Sequence, residues 1–204
     1  MNKKELEILL SKIASFDAPQ SGLEQYATSS SIAADLVWNA FQNGHINEKV
    51  IADLGCGPGV LGIAALILGA KHVSFVDKDK KALAQVQKNI SQMQGLLQRN
   101  FSCVFLLQDV QEFQTKVDVV LQNPPFGVQE VHADQAFLLT AMHAAPVIYS
   151  FHKFSTQDFV EKFVQAEGYH VVSFYRYEFP IKKQQHFHTQ AVKYIDAACF
   201  LIEK

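Results

Sequence analysis

The sequence predicts an α/β fold: a Rossmann-like, seven-stranded, mostly parallel sheet with helices on both faces and a C-terminal antiparallel hairpin. Three observations carry this. From Val50 onward, short apolar runs bounded by turn residues alternate with stretches of helical periodicity, as in successive βαβ units. The first run, VIADL, leads straight into a glycine-rich turn, Gly55-Cys56-Gly57-Pro58-Gly59, that opens an apolar helix. The last two runs, YHVVSFYRYEF and VKYIDAACFLI, are joined by a loop with no helical pattern, so they fold back on each other at or near a sheet edge.

Each element follows from its local pattern. Leu6, Leu9, Ile13 and Phe16 recur at helical spacing, so the chain begins with an amphipathic helix, broken by Asp17-Ala18-Pro19. The polar SGLEQYATSSS is turn-like and ends in a serine able to cap a helix over residues 32–41, which Gln42-Asn43-Gly44 closes. Then VIADLG reads as a strand and VLGIAALILG as a buried helix. HVSFVD is a strand, DKKALAQVQKNISQM an amphipathic helix, and SCVFLLQ and VDVVLQ are strands. DQAFLLTAMHAA is a helix and VIYSF a strand. STQDFVEKFVQAEG is a helix whose Ser155 and Asp158 have capping-box spacing. No repeat, linker or low-complexity segment interrupts this order. One domain over residues 1–204 is expected, with an N-terminal helical part (residues 1–45) leading into the core (residues 46–204).

Composition narrows the function classes. A chain of 204 residues, 49% hydrophobic and 19% charged, suits one well-buried core better than two. The net charge of −2 excludes a polycation, so any nucleic-acid contact must come from a local basic patch. Cys56, Cys103 and Cys199 lie far apart with no C-x-x-C pair, which argues against a disulfide framework or a zinc site and fits a reducing compartment. The N-terminus mixes acidic and basic residues with apolar ones, unlike a signal peptide, and VLGIAALILGA is too short to span a bilayer. A soluble cytoplasmic protein is expected, or a nuclear one in a eukaryote.

The glycine loop sits where ligands of such sheets bind, at the carboxyl end of a strand. Gly57, Gly59 and Gly62 satisfy the dinucleotide pattern G-x-G-x-x-G. Asp53 through Gly59 also satisfy D-x-G-x-G-x-G, the loop that holds S-adenosyl-L-methionine in Rossmann-like methyltransferases. Asp77, ending the next strand, can accept from ribose hydroxyls in either case. Asp109 follows the third strand, where a carboxylate can accept from an adenine amino group while the N–H of Val110 donates to the ring. Three ligand-facing positions at the ends of successive strands make a bare turn the weaker reading.

The fourth strand ends in Asn123-Pro124-Pro125-Phe126. Prolines stop a strand, but they do not explain the amide before them or the aromatic after them. The tetrad resembles the N-P-P-[FY] motif of methyltransferases that modify conjugated nitrogen: adenine N6, cytosine N4 or glutamine amide. The lone pair of such a nitrogen is delocalised. Two acceptors aimed at its hydrogens favour the pyramidal form, and here they would be the Asn123 side-chain oxygen and the Pro124 carbonyl, held by preorganisation. Phe126 would stack on the base.

Several further segments resemble one family, the small-subunit ribosomal-RNA adenine-N6 methyltransferases of eukaryotes and archaea (methyltransferase-like protein five). These are LEQYATSSSIAADLV, ADLGCGPGVLGIAALILGA, NPPFG, the AFL of Ala136-Phe137-Leu138, YSFHK, the STQ helix start and RYEFP, in matching order over nearly the whole chain. The resemblance implies a class I methyltransferase fold, S-adenosylmethionine as methyl donor and N6-methyladenosine in rRNA as product. It places Gln25, Thr28, Gly55, Gly57, Pro58, Gly59 and Val60 against the cofactor, with Asp53 in the loop motif, Asp77 at the ribose and Asp109 and Val110 at the adenine. It makes Asn123, Pro124, Pro125 and Phe126 the catalytic tetrad.

Two departures concern RNA contact. VQEVHADQ after the tetrad lacks the family's lysine, and Phe187-His188 is followed by TQA, with Lys182 and Lys183 preceding it. Lys153, Lys182, Lys183, His186, Phe187 and His188 are the candidate RNA contacts, lysines for phosphate and Phe187 for stacking. His186 and His188 lack a third ligand nearby, so no metal is expected. The third strand, Cys103–Leu107, is apolar on both faces although its place in a doubly wound sheet is an edge. The family's small zinc-binding activator subunit is the partner the resemblance implies for it. The same tetrad would also serve a DNA-adenine or protein-glutamine N-methyltransferase, and a non-catalytic cofactor-binding structural subunit is the reading of a different class.

Overall fold

The first helix, α1 (Lys3–Leu10), starts at a reciprocal cap. The Asn2 side chain accepts from the Glu5 N–H at 3.0 Å, and the Glu5 carboxylate accepts from the Asn2 N–H at 2.9 Å. In this computed structural model the described residues are 1–14, 28–125, 133–181 and 193–204. α2 (Ser30–Gln42) is capped as its sequence suggests, with the Ser29 hydroxyl accepting from the Ile32 N–H at 3.3 Å. The alternating part comprises β1 (Val50–Leu54), α3 (Val60–Ile67), β2 (His72–Asp77), α4 (Lys80–Leu97), β3 (Cys103–Leu107), β4 (Val119–Gln122), α5 (Ala133–Ala144), β5 (Val147–Lys153), α6 (Gln157–Ala166), β6 (His170–Ile181) and β7 (Lys193–Glu203). Between β3 and β4 there is a single 3₁₀ turn, Val110–Glu112.

The sheet order is β3-β2-β1-β4-β5-β7-β6. The first five strands pair in parallel, while β7 runs antiparallel to both β5 and β6. The hairpin expected from the sequence is therefore present, with β6 as the outer strand. β3 forms the other edge, and Val104 and Leu107 on it are exposed. Strand order reverses between β1 and β4, which opens a crevice at their carboxyl ends.

Alternation along each strand builds two cores. On one face Ile51, Val73, Phe75, Val119, Leu121, Tyr149 and Phe151 pack with α1, α2, α3 and α4. On the other, Ala52, Leu54, Val76, Val120, Ile148 and Phe200 pack with α5 and α6. Gly62 lets α3 close on the sheet. A Cβ there would lie 2.4 Å from the Phe75 ring and 2.9 Å from the Asp53 carboxylate. That is a packing role, so the third glycine of the dinucleotide pattern is explained without a pyrophosphate. The N-terminal helices are tied down by Asp35 of α2, which pairs with Lys3 at 2.8 Å and accepts from the Tyr177 hydroxyl at 2.9 Å.

One capping expectation is corrected. α6 has no capping box between Ser155 and Asp158. A 3₁₀ turn, Phe154–Thr156, precedes the helix, so Thr156 occupies the cap position and makes no side-chain cap. Its hydroxyl instead donates back to the Lys153 carbonyl at 2.8 Å. No described helix is long and apolar enough to cross a membrane.

Candidate active site

The glycine loop is built by backbone geometry. Gly55, Gly57 and Gly59 have φ of 64°, 52° and 82°, the left-handed region where a side chain is strained. Gly55 is doubly constrained, because a Cβ would meet the Phe137 ring of α5 at 2.8 Å. The turn is closed by the Gly59 N–H donating to the Cys56 carbonyl at 2.8 Å, and the Cys56 N–H donates to Val76 of β2 at 3.0 Å.

Two carboxylates hold this loop from beneath and beside. Asp53 is 1% exposed, and its Oδ2 accepts from the Gly62 N–H at 2.8 Å. Burial pushes its pKa up to about 8, the Gly62 N–H opposing and the nearby Asp77 charge reinforcing that shift. Asp77 accepts from the Gly57 N–H at 2.9 Å on one oxygen and from the Asp79 N–H at 2.8 Å on the other. Burial raises its pKa too, with those two N–H bonds working against the shift. A carboxylate has about four acceptor sites, so each Asp77 oxygen retains capacity for a further donor such as a sugar hydroxyl. Burial likewise raises the Cys56 thiol, helped by the Asp53 and Asp77 charges, which leaves it an inert packing group.

At the third strand end, Asp109 caps the 3₁₀ turn, its Oδ1 accepting from the Gln111 N–H at 3.0 Å. Val110 beside it is buried. At the fourth, Asn123 follows β4, partly buried, with Pro124 buried and Pro125 partly so. The Asn123 amide nitrogen donates to the Thr28 hydroxyl at 3.0 Å, across 95 residues of sequence. That bond fixes the side chain with its amide nitrogen toward Thr28. Thr28, Gly55, Gly57, Asp77, Asp109 and Asn123 thus come from consecutive strand ends and the approach to α2, around the crevice between β1 and β4. Pro58 and Val60 are buried at the start of α3. Lys153 ends β5 on the same rim. Gln25, Phe126, Lys182, Lys183, His186, Phe187 and His188 lie outside the described residues.

Sequence reasoning passed over Asn89. It is 1% exposed on α4, and its amide nitrogen donates to the Pro58 carbonyl at 2.9 Å and the Ala14 carbonyl at 3.1 Å. Its oxygen accepts from the Ala14 N–H at 3.2 Å and from Gln85 at 3.1 Å. Asn89 therefore joins the glycine loop to the end of the N-terminal helical segment. The signal was present: a lone amide in the apolar stripe of Ala82, Val86, Ile90 and Met93.

Comparison with known proteins agrees with this fold. Residues 28–146 match the family Methyltransferase small domain. A Danio rerio protein named rRNA N6-adenosine-methyltransferase METTL5 is 34% identical, over 91% of this chain and 92% of its own length. Its Drosophila melanogaster namesake is also 34% identical, over 95% of this chain and 92% of its length. A crystal structure of a Pyrococcus horikoshii protein proposed to be an RNA methyltransferase superposes with a TM-score of 0.88 at 39% identity, covering 99% of this chain and 98% of that one.

Proposed function

The chain belongs to the Methyltransferase small domain family, and from that premise we propose that it uses S-adenosylmethionine to methylate adenine N6 in small-subunit ribosomal RNA. The observation that carries the proposal is Asn123 at the end of β4, on the rim of the crevice, its amide nitrogen committed to Thr28 and its oxygen thereby distinguished as the acceptor. The similarity to proteins named rRNA N6-adenosine-methyltransferases supports the adenine and the rRNA.

The residues present fit the cofactor. The left-handed glycines let the backbone approach a ligand closely, and Asp77 and Asp109 present carboxylates at neighbouring strand ends, one for ribose hydroxyls and one for an adenine amino group. Gln25, Thr28, Pro58, Val60 and Val110 complete the contacts in this reading, and Asp53 supports the loop from below. When bound, S-adenosylmethionine supplies an electrophilic methyl group on a sulfonium centre. The chain itself orients the nucleophile. Asn123 Oδ1 and the Pro124 carbonyl accept the two amine hydrogens, which draws the nitrogen toward the pyramidal form. Pro125 keeps that carbonyl in place, and Phe126 stacks on the base. The methylated nitrogen is acidic and loses its proton to water. Lys153 and, from the β6–β7 connection, Lys182, Lys183, His186, Phe187 and His188 contact the RNA in the same reading.

The test is methyl transfer from labelled cofactor to small-subunit rRNA, with the product nucleoside identified by mass. The parent protein should yield N6-methyladenosine, and Asn123→Ala should reduce it by about a hundredfold, the scale seen when a preorganised hydrogen-bonding group is removed. Full methylation by that variant would contradict the assigned role. A small zinc-binding subunit on the β3 edge is part of the proposal, supported by the exposed Val104 and Leu107 there. Co-expression with such a subunit should raise soluble yield, and Leu107→Lys should abolish the gain. Yields indifferent to both changes would remove the partner.

A further inference from the structure

Strand ladders fix where a strand exits, and β4 loses its ladder where precision matters most. Its last paired residue is Gln122, which registers with Leu54 of β1 and Ser150 of β5. Pro124 and Pro125 have no N–H, so two of the three residues that follow cannot donate to a neighbouring strand. Beyond Gln122 the ladder therefore gives the chain less support, and side chains can add to it.

The side chains at this level supply it. Successive strand residues point to opposite faces, so Gln122 faces the α5 side, the core that contains Ala52, Val120 and Ile148. It is fully buried, and its amide nitrogen donates to the Ser150 hydroxyl at 2.9 Å. Ser150, also fully buried, lies 2.7 Å from His152 Nε2. A hydroxyl has one proton and two acceptor sites, so Ser150 takes the Gln122 donor and still bonds to the ring nitrogen. His152 is 3% exposed, and burial pushes its pKa down to about 3, so it stays neutral at physiological pH. Gln122 Oε1, a buried acceptor, has no hydrogen-bond partner among the described residues. Three polar side chains, one of them incompletely satisfied, are an unfavourable way to fill a core that Val or Leu would fill, and such groups call for a role beyond packing.

We propose that Gln122, Ser150 and His152 are positioning residues: a buried amide–hydroxyl–imidazole ladder that anchors the end of β4 from its α5 face and thereby sets Asn123 and the Pro124 carbonyl. Thr28 holds Asn123 by its own side chain, and the ladder holds the residue before it from the α5 face. His152 is not a proton acceptor in the reaction, because Nε2 is occupied and the ring is enclosed. The inference rests on the reading that Asn123 and Pro124 receive the target amine.

The test uses the full chain with rRNA and compares Gln122→Met, Ser150→Ala and the double variant. Gln122→Met keeps the volume and removes the amide. Each single variant should lower kcat about tenfold while the KM for S-adenosylmethionine, and its Kd by calorimetry, stay within about twofold of the parent. The double variant should lose no more than the worse single one, because the ladder acts as a unit. Losses that multiply in the double variant overturn the proposal, as do losses that track cofactor affinity or thermal midpoint. So does a kcat near the parental value in both single variants. Should Gln122→Met not fold, Ser150→Ala removes a single atom from the same ladder and decides the matter alone. Parental transfer to adenine N6 with unaffected variants removes the ladder and leaves the proposed function standing. Absence of transfer by the parent removes the function reading and the ladder with it.

Discussion

Replacing Asp53 by Asn should flatten the pH dependence of stability. The folded-state pKa of Asp53 is about 8, against an ordinary value of 3.8, because the carboxyl is buried and the Gly62 N–H bond offsets only part of that cost. Between those two values the native state holds a proton that the unfolded state has released. The stabilising contribution is therefore fully present below about pH 4 and is lost as pH rises toward about 8. Each unit is worth about 1.4 kcal/mol, so the swing is on the order of 5 kcal/mol, a large share of the roughly 5–15 kcal/mol that holds a domain folded. Asparagine has the same shape, keeps an acceptor for Gly62 and does not ionise. Urea unfolding at pH 5, 6.5 and 8 and fixed salt should show the parent losing several kcal/mol relative to Asp53→Asn across the range, with Asp53→Asn becoming the more stable protein at pH 8. The slope common to both has two opposed sources: burial raises the Asp77 pKa, which lowers stability as pH rises, and burial lowers the His152 pKa, which raises stability as pH climbs toward about 6.5. Parallel stability curves for the two proteins would refute the reasoning.

Two further perturbations test the supports of the loop. Gly62→Ala should destabilise by about 1–3 kcal/mol despite the better helix propensity of alanine, because the new methyl meets the enclosed Phe75 ring, stacked on Phe105 at 5.7 Å. An unchanged thermal midpoint would show that α3 can lift off the sheet without penalty. Asn89→Ala leaves the Pro58 carbonyl and both Ala14 backbone groups without their partner, a loss of about 2–3 kcal/mol in chemical unfolding. It should also weaken S-adenosylmethionine binding by calorimetry. Stability loss with intact cofactor affinity would confine Asn89 to the scaffold.

The strands and most helices were legible because each is bounded by its own turn chemistry and carries an unambiguous period. VIADL, HVSFVD and CVFLL fall where the structure has β1, β2 and β3, and the apolar VLGIAALI is a helix buried along its whole length. The capping box at Ser155 failed because spacing alone does not say whether a 3₁₀ turn will take up the preceding residues. The glycine loop was legible as a motif and the strand stop after Gln122 as a proline pair, since glycine at left-handed φ and consecutive prolines leave a mark on sequence. What braces them was not. Asn89 hides among glutamines and lysines on a polar-looking helix, and only the wheel position separates it from them. Gln122 and Ser150 look like the last polar residues of strands that are ending, yet both are fully buried. The Thr28–Asn123 bond joins residues 95 apart, and no local pattern encodes it.

The arrangement bears on how a chain can activate a weak nitrogen nucleophile without a strong base. The buried titratable groups around the crevice are occupied otherwise. Asp53 carries the Gly62 N–H and a raised pKa, Asp77 carries two loop N–H groups, and His152 is neutral and bonded to Ser150. None is arranged to take a proton from a substrate. In the proposed reaction what remains is direction: an amide turned by Thr28 and a carbonyl whose orientation two prolines restrict. Direction is only as good as the backbone that sets it, and a strand that runs into two residues without an N–H is a poor foundation. The buried polar residues on the α5 side then follow from the same requirement as the prolines, since a clamp that acts by geometry must be held from behind as well as from in front.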